Sequence, residues 1–132
     1  MTKQLINPAE LYDGSPFGLS QAVVDTDSGL IYLSGQVDWD HGFQVTHTTV
    51  AGQFESALGK LRIALEAAGG RVESLLQLRI YVRGELEEHM ESVAPVLRNF
   101  LGDTRVALTG IGVASLASKG TLVEVEAVAR VK

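Results

Sequence analysis

Residues 47–83 read HTTVAGQFESALGKLRIALEAAGGRVESLLQLRIYVR, and the hydrophobic period changes inside this stretch. Up to residue 69, Val50, Phe54, Ala57, Leu58, Leu61, Ala64, Leu65 and Ala68 recur every three or four positions. That spacing lays them on one face of an amphipathic helix, with Glu55, Lys60, Arg62 and Glu66 on the wet side. Gly69-Gly70 is the expected stop, because glycine enters the left-handed conformation without a Cβ penalty. From 75 to 83 the period drops to two. Leu76, Leu78, Ile80 and Val82 face one way, and Gln77, Arg79, Tyr81 and Arg83 the other. A helix feeding a half-buried strand predicts helices layered on a sheet.

Upstream, residues 3–18 mix turn formers with apolar residues and predict a short edge strand, then an ordered loop ending at Phe17. Residues 20–26 and 30–37 flank Asp27-Ser28-Gly29 and read as a hairpin. Strict alternation in the second of these strands puts Ile31, Leu33 and Gly35 on one face and Leu30, Tyr32, Ser34 and Gln36 on the other. Downstream, Met90, Val93, Leu97, Phe100 and Leu101 mark a second helix over 87–101. Pro95 is awkward there unless the first turn starts near residue 94. Two strands follow, 106–114 and 122–131. In the last, Val123, Val125, Ala127, Ala129 and Val131 oppose Glu124, Glu126, Val128 and Arg130. The order ββ, α, β, α, ββ predicts an α+β fold in a single domain over residues 1–132. Tyr32, Gln77, Arg79, Tyr81, Arg83 and Glu126 then share the sheet face away from the helices, a polar face that suits water or a subunit contact.

Composition narrows the function. The chain has no cysteine, which removes disulfides, thiolate metal sites and cysteine nucleophiles together. Its net charge is -5 and its basic residues form no run, which argues against nucleic acid as a partner. No apolar stretch approaches the roughly 18 residues of a membrane span. The segment MTKQLINPAE has no apolar core of a signal peptide, so a cytoplasmic protein with no membrane partner is expected.

Four features invite chemical readings. Asp38, Asp40, His41 and His47 crowd one segment with donors that suit a divalent ion, although loops of this kind are more often simply solvated. No metal or other cofactor is expected. Glu124 and Glu126 share a strand face, where paired carboxylates can divide acid and base work or merely meet water. Ser34-Gly35-Gln36 ends a strand on a glycine, which leaves backbone groups open to a small carbonyl compound or marks tight packing. Gly110-Ile111-Gly112 lies inside a strand, a poor phosphate loop and a better sign of close backbone approach.

Ser15-Pro16-Phe17 with Ser20-Gln21-Ala22, then Leu33-Ser34-Gly35-Gln36-Val37, LEAAGG over 65–70, Arg79-Ile80-Tyr81-Val82 and LVEVEA over 122–127 occur in that order. Together, over about residues 5–131, they resemble the reactive intermediate deaminase (Rid) family, also labelled YjgF or endoribonuclease L-PSP. The resemblance implies a chorismate-mutase-like (RidA-type) α+β fold, with a mixed sheet carrying two helices on one face. It also implies a homotrimer whose sheets form a central barrel, with a small-molecule cleft between subunits. The implied activity is cofactor-free hydrolysis of enamines and imines to 2-keto acids and ammonia. Glu124 matches the glutamate that orients water. Ser34 and Gly35 match the strand end that positions substrate, and Phe17 stands where the family often has tyrosine. Leu108, in Ala107-Leu108-Thr109, stands where the family carries its substrate-binding arginine. Leucine cannot imitate a bidentate guanidinium. Arg105, three residues upstream, is expected on the opposite strand face and roughly 10 Å along the chain. Arg79 and Arg83 are the other candidates to reach the cleft. The alternative is a non-catalytic trimeric metabolite-binding protein on the same scaffold.

Overall fold

The structure is a computed structural model that describes residues 2–132. Its strands are β1 (Lys3–Ile6), β2 (Ala22–Asp25), β3 (Leu30–Gln36), β4 (Leu75–Arg83), β5 (Ala107–Val113) and β6 (Val123–Arg130). Helix α1 spans Val50–Ala67 and α2 spans Met90–Leu101. One mixed sheet holds the strands in the order β1-β2-β3-β6-β4-β5. All pairings are antiparallel except β4 with β5, which are joined in parallel through α2. The last two strands are therefore not neighbours, because β4 lies between them.

Both helices lie on one face, and one core forms beneath them. Phe54, Leu58, Leu61 and Leu65 of α1 meet Ile31, Leu78, Val82, Val123 and Val125 of the sheet, all buried. Each such side chain contributes about 1.5–3 kcal/mol on leaving water. The Thr49 side chain caps α1 by accepting from the Gly52 N–H, and Gly69 closes it with φ +94°. The turn at Asp27-Ser28-Gly29 joins β2 to β3, with Gly29 at φ +78°.

Three expectations need correction. In β3, Ser34 and Gly35 form a bulge opposite Glu126, since Leu33 pairs with Ala127 and Gln36 with Val125. Beyond the bulge the alternation reverses, so Gln36 is buried. In β4 a similar irregularity between Leu75 and Gln77 turns Leu75 inward and leaves Leu76 exposed. Helix α2 starts at Met90, after a 3-10 turn over Leu86–His89, and carries Pro95 in its interior. Pro95 is exposed, so the carbonyl of Glu91, which loses its helical donor, faces water. Among the described residues, no helix is long and apolar enough to cross a membrane.

Candidate functional site

The β3 bulge opens the site. It takes Gly35 out of regular pairing and against Glu124 of β6. A β-carbon at position 35 would lie 2.6 Å from Glu124 Oε2 and 2.8 Å from its Cδ. Glycine is thus required by close approach rather than by backbone angle. Around this contact lies a cavity of about 340 Å³ whose walls include Tyr12, Phe17, Trp39, Ser34 and Ala117.

An aromatic box forms one wall. The Tyr12 and Trp39 rings meet edge to face at 5.4 Å, and Phe17 sits 6.4 Å from Trp39 and 5.5 Å from Phe43. Phe43 also lies 5.6 Å from both Tyr12 and Trp39. Phe43 adopts φ +63°, which costs a non-glycine residue roughly 1 kcal/mol, and these ring contacts hold it there. Phe17 comes from a 3-10 turn over Ser15–Phe17 that ends at left-handed Gly18, and the residue is 59 % exposed where it lines the cavity.

Glu124 is only partly buried. That burial, reinforced by the charge of Glu126, pushes its carboxyl above the usual range. Glu126 itself accepts a hydrogen bond from the Tyr81 hydroxyl. The two carboxylates share a face but sit in different surroundings. Glu124 opens on the cavity and Glu126 is tied to β4.

The remaining predicted residues have other placements. Ser34 lines the cavity, but its hydroxyl donates to the Ser20 carbonyl at 2.6 Å and its N–H to the Gln21 carbonyl, so both are spent on the scaffold. Leu108 does not reach this cavity. It is 51 % exposed and lines a separate apolar groove of about 370 Å³ between β5 and α2. The register pairs it with inward-facing Leu78, on the helix side of the sheet. Within one chain, therefore, Leu108 is apart from Phe17, Gly35 and Glu124. Arg105 lines the same groove as Leu108, contrary to the parity expectation. It precedes the strand, where alternation does not apply, and its guanidinium donates to the carbonyls of Gly102 and Thr104. Arg83 donates to the carbonyls of Ser118 and Lys119, fastening the loop after β5. Arg79 is exposed on the face away from the helices.

Hydrogen bonds within the protein occupy the polar side chains of segment 38–47. Burial alone would raise the Asp38 carboxyl. Hydrogen bonds from Ser56, Thr46 and His47 outweigh that and hold it at about 2. Asp40 accepts from the backbone of Gly42 and Gln44, and His41 bonds the Ala9 carbonyl. Among the described residues no group of three or more potential ligands could hold a metal ion. In β5, a side chain at Gly110 would strike Leu86, and one at Gly112 would strike the Gly84 carbonyl, so these glycines serve close packing.

Sequence reasoning missed three contributors. Tyr12 and Trp39 wall the cavity, and their only signal was the clustering of five of the eight aromatic residues within 12–43. Gln53 is fully buried on α1. It donates to the carbonyls of His47 and Gly120 and accepts from the Leu122 N–H, tying the segment before α1 to the segment before β6. A polar residue on an apolar stripe was the readable sign.

The sequence matches the family described as endoribonuclease L-PSP over residues 15–131. A search of curated proteins gives no match. Among solved structures, a Mycobacterium tuberculosis member of the YjgF/YER057c/UK114 family shares 26 % identity and superposes with a TM-score of 0.81, covering 98 % of this chain and 99 % of that one. The yeast protein YEO7 gives 0.88 at 20 % identity, over 99 % of this chain and 100 % of its own. RidA from an Antarctic Psychrobacter gives 0.85 at 22 %, over 97 % and 99 %. The latter two likenesses establish the fold alone.

Proposed function

The chain belongs to the endoribonuclease L-PSP (YjgF/RidA/UK114) family, and from that premise we propose that it hydrolyses small imines, or the enamines that tautomerise to them, to a carbonyl compound and ammonia. The observation that carries this reading is the Glu124 carboxyl, partly withdrawn from water and closed against Gly35 in an aromatic-walled cavity. A carboxyl shifted upward is suited to pass protons near neutral pH.

Glu124 takes a proton from a water molecule as the water oxygen bonds to the imine carbon and the C=N electron pair moves to nitrogen. The resulting carbinolamine takes the proton back on nitrogen. Glu124 then carries the hydroxyl proton to nitrogen, the C–N bond breaks as ammonia leaves, and the carbonyl forms. The net change is one imine and one water consumed, and one carbonyl compound and one ammonia released. The ring wall holds the substrate and limits stray water. The protein supplies position and one carboxyl group, and the proposal needs no cofactor.

The cavity is completed by a second copy of the chain. Strand β5 is a sheet edge whose residues are mostly exposed, Leu108 among them, and an uncovered edge favours pairing or cover. A homotrimer, with Leu108 of one copy closing the Phe17–Glu124 cavity of the next, satisfies both features. The ribonuclease in the family description is not carried over, because a net charge of -5 is poorly suited to a polyanion.

Imines released by a dehydratase from threonine or serine, and by an amine oxidase from benzylamine, can be trapped with semicarbazide. The proposal requires the protein to reduce the trapped adduct from at least one source. No reduction from either overturns it and leaves a metabolite-binding trimer as the better account.

A further inference from the structure

We propose that the Phe17–Trp39–Glu124 cavity selects a cation, so that its substrates are amine-derived iminium ions lacking a carboxylate rather than imino acids. This rests on the imine-hydrolase reading and names the substrate class of the same site.

Among the described side chains that wall the cavity, Glu124 is the one carboxylate, and none is lysine, arginine or histidine. A substrate carboxylate placed there meets a like charge with no counter-ion, which disfavours both ionised forms. Glu126 on the same strand face adds a second negative charge, felt at Glu124 as an upward push on its carboxyl. The Tyr12 phenol is also pushed up, first by burial, and stays neutral.

The nearby arginines do not change this sign. The Arg83 guanidinium is engaged by two loop carbonyls. Arg105 is engaged by two others and lines the groove on the helix side of the sheet. Arg79 is not part of the cavity wall and is paired in register with Glu126.

The rings act in the same direction. Aromatic faces are the negative part of the ring quadrupole and attract cations, and a box of rings beside a carboxylate is a recurrent way to hold an alkylammonium group. Phe17 and Trp39, tilted 41° to one another, stand beside Glu124 in this arrangement. A protonated imine also suits the chemistry, because its carbon is the more electrophilic toward water. In that form one iminium ion and one water give one carbonyl compound and one ammonium ion, so atoms and charge balance. Glu124 takes the water proton and returns it to nitrogen.

Trp39 is the only tryptophan of the chain, so intrinsic fluorescence reports on the cavity wall. Benzyltrimethylammonium and phenylacetate present a similar ring with opposite charge, and benzyl alcohol serves as the neutral control. The cation is expected to bind at least about tenfold more tightly than phenylacetate. Glu124→Gln should remove most of that preference while benzyl alcohol still binds. Equal or tighter binding of phenylacetate overturns the inference. If that binding is then lost in Arg105→Ala, an arginine from a neighbouring copy has taken the carboxylate.

Turnover separates the substrate class from the hydrolase activity. Faster hydrolysis of the benzylamine-derived imine than of the dehydratase-derived imino acid supports the inference. The reverse order overturns it and leaves the hydrolase reading standing. Cation binding with neither imine hydrolysed overturns the hydrolase reading instead.

Discussion

Replacing Gly35 by alanine tests the geometry of the site with one methyl group. The added carbon would lie 2.6 Å from Glu124 Oε2, 2.8 Å from Cδ and 3.1 Å from Cγ. Ordinary non-bonded contact begins near ~3.5 Å, so the carboxyl must retreat by roughly 1 Å. It can do so, since the clash falls on a side chain rather than on backbone. The fold loses some packing and gains about 0.4–1 kcal/mol from the stiffer unfolded chain, so net stability should change by less than about 1 kcal/mol. Catalysis is less forgiving. A displacement of about 1 Å at a proton-transfer group costs on the order of 100-fold, or about 2.7 kcal/mol of transition-state stabilisation. The checks are a urea unfolding curve and kcat/KM on the preferred imine. Glu124→Asp in the Gly35→Ala background shortens the clashing side chain and should recover part of the loss relative to additive single effects. Unchanged activity in Gly35→Ala, or destabilisation above about 3 kcal/mol, would refute this reasoning.

Three further outcomes follow from the same contacts. Asp38→Asn removes a carboxylate that accepts from Thr46, His47 and Ser56, and should cost about 2–4 kcal/mol in urea melts. Because Asp38 is held at about 2, its contribution is complete above the ordinary carboxyl pKa of 3.8 and is lost as pH falls through about 2. Acid unfolding of the wild type should therefore lie at lower pH than that of the variant. Gln53→Leu orphans the Leu122 N–H and the carbonyls of His47 and Gly120, which predicts about 2–3 kcal/mol of destabilisation and faster amide exchange over 118–122. Glu124→Gln should stabilise the fold by at most about 1 kcal/mol at neutral pH, since the carboxylate is partly solvated. Its folded carboxyl is raised, so the wild type loses stability as pH rises from the unfolded carboxyl range through the raised value. The advantage of the variant should vanish below that range in thermal melts.

The order of elements is legible in the sequence because period-two and period-3.6 patterns are strong between Val50 and Arg83 and again between Val123 and Arg130. Legibility fails where the backbone departs from regular geometry. Simple alternation puts Gln36 and Leu76 on the wrong faces because Gln36 follows a bulge and Leu76 lies within one, and a bulge adds a residue without changing the pattern of letters. Arg105 is misplaced when strand parity is extended into a loop. At the site, Gly35 and Glu124 are visible through the motifs around them, and the structure puts them in contact. Tyr12 and Trp39 are not visible, because their meeting depends on loops whose path is set by Asp38, Gln53 and Phe43. Leu108 can be placed on β5 from sequence, but its face depends on the parallel register with Leu78.

The central claim is that Glu124 passes the proton in imine hydrolysis. Stopped-flow decay of a preformed imine, followed across pH for the wild type and Glu124→Gln, tests it most directly. Wild-type acceleration should rise with pH through a carboxyl ionisation above the usual carboxylate range, and the variant should show neither the rise nor the acceleration. A variant as fast as the wild type, with the same pH profile, would contradict the account.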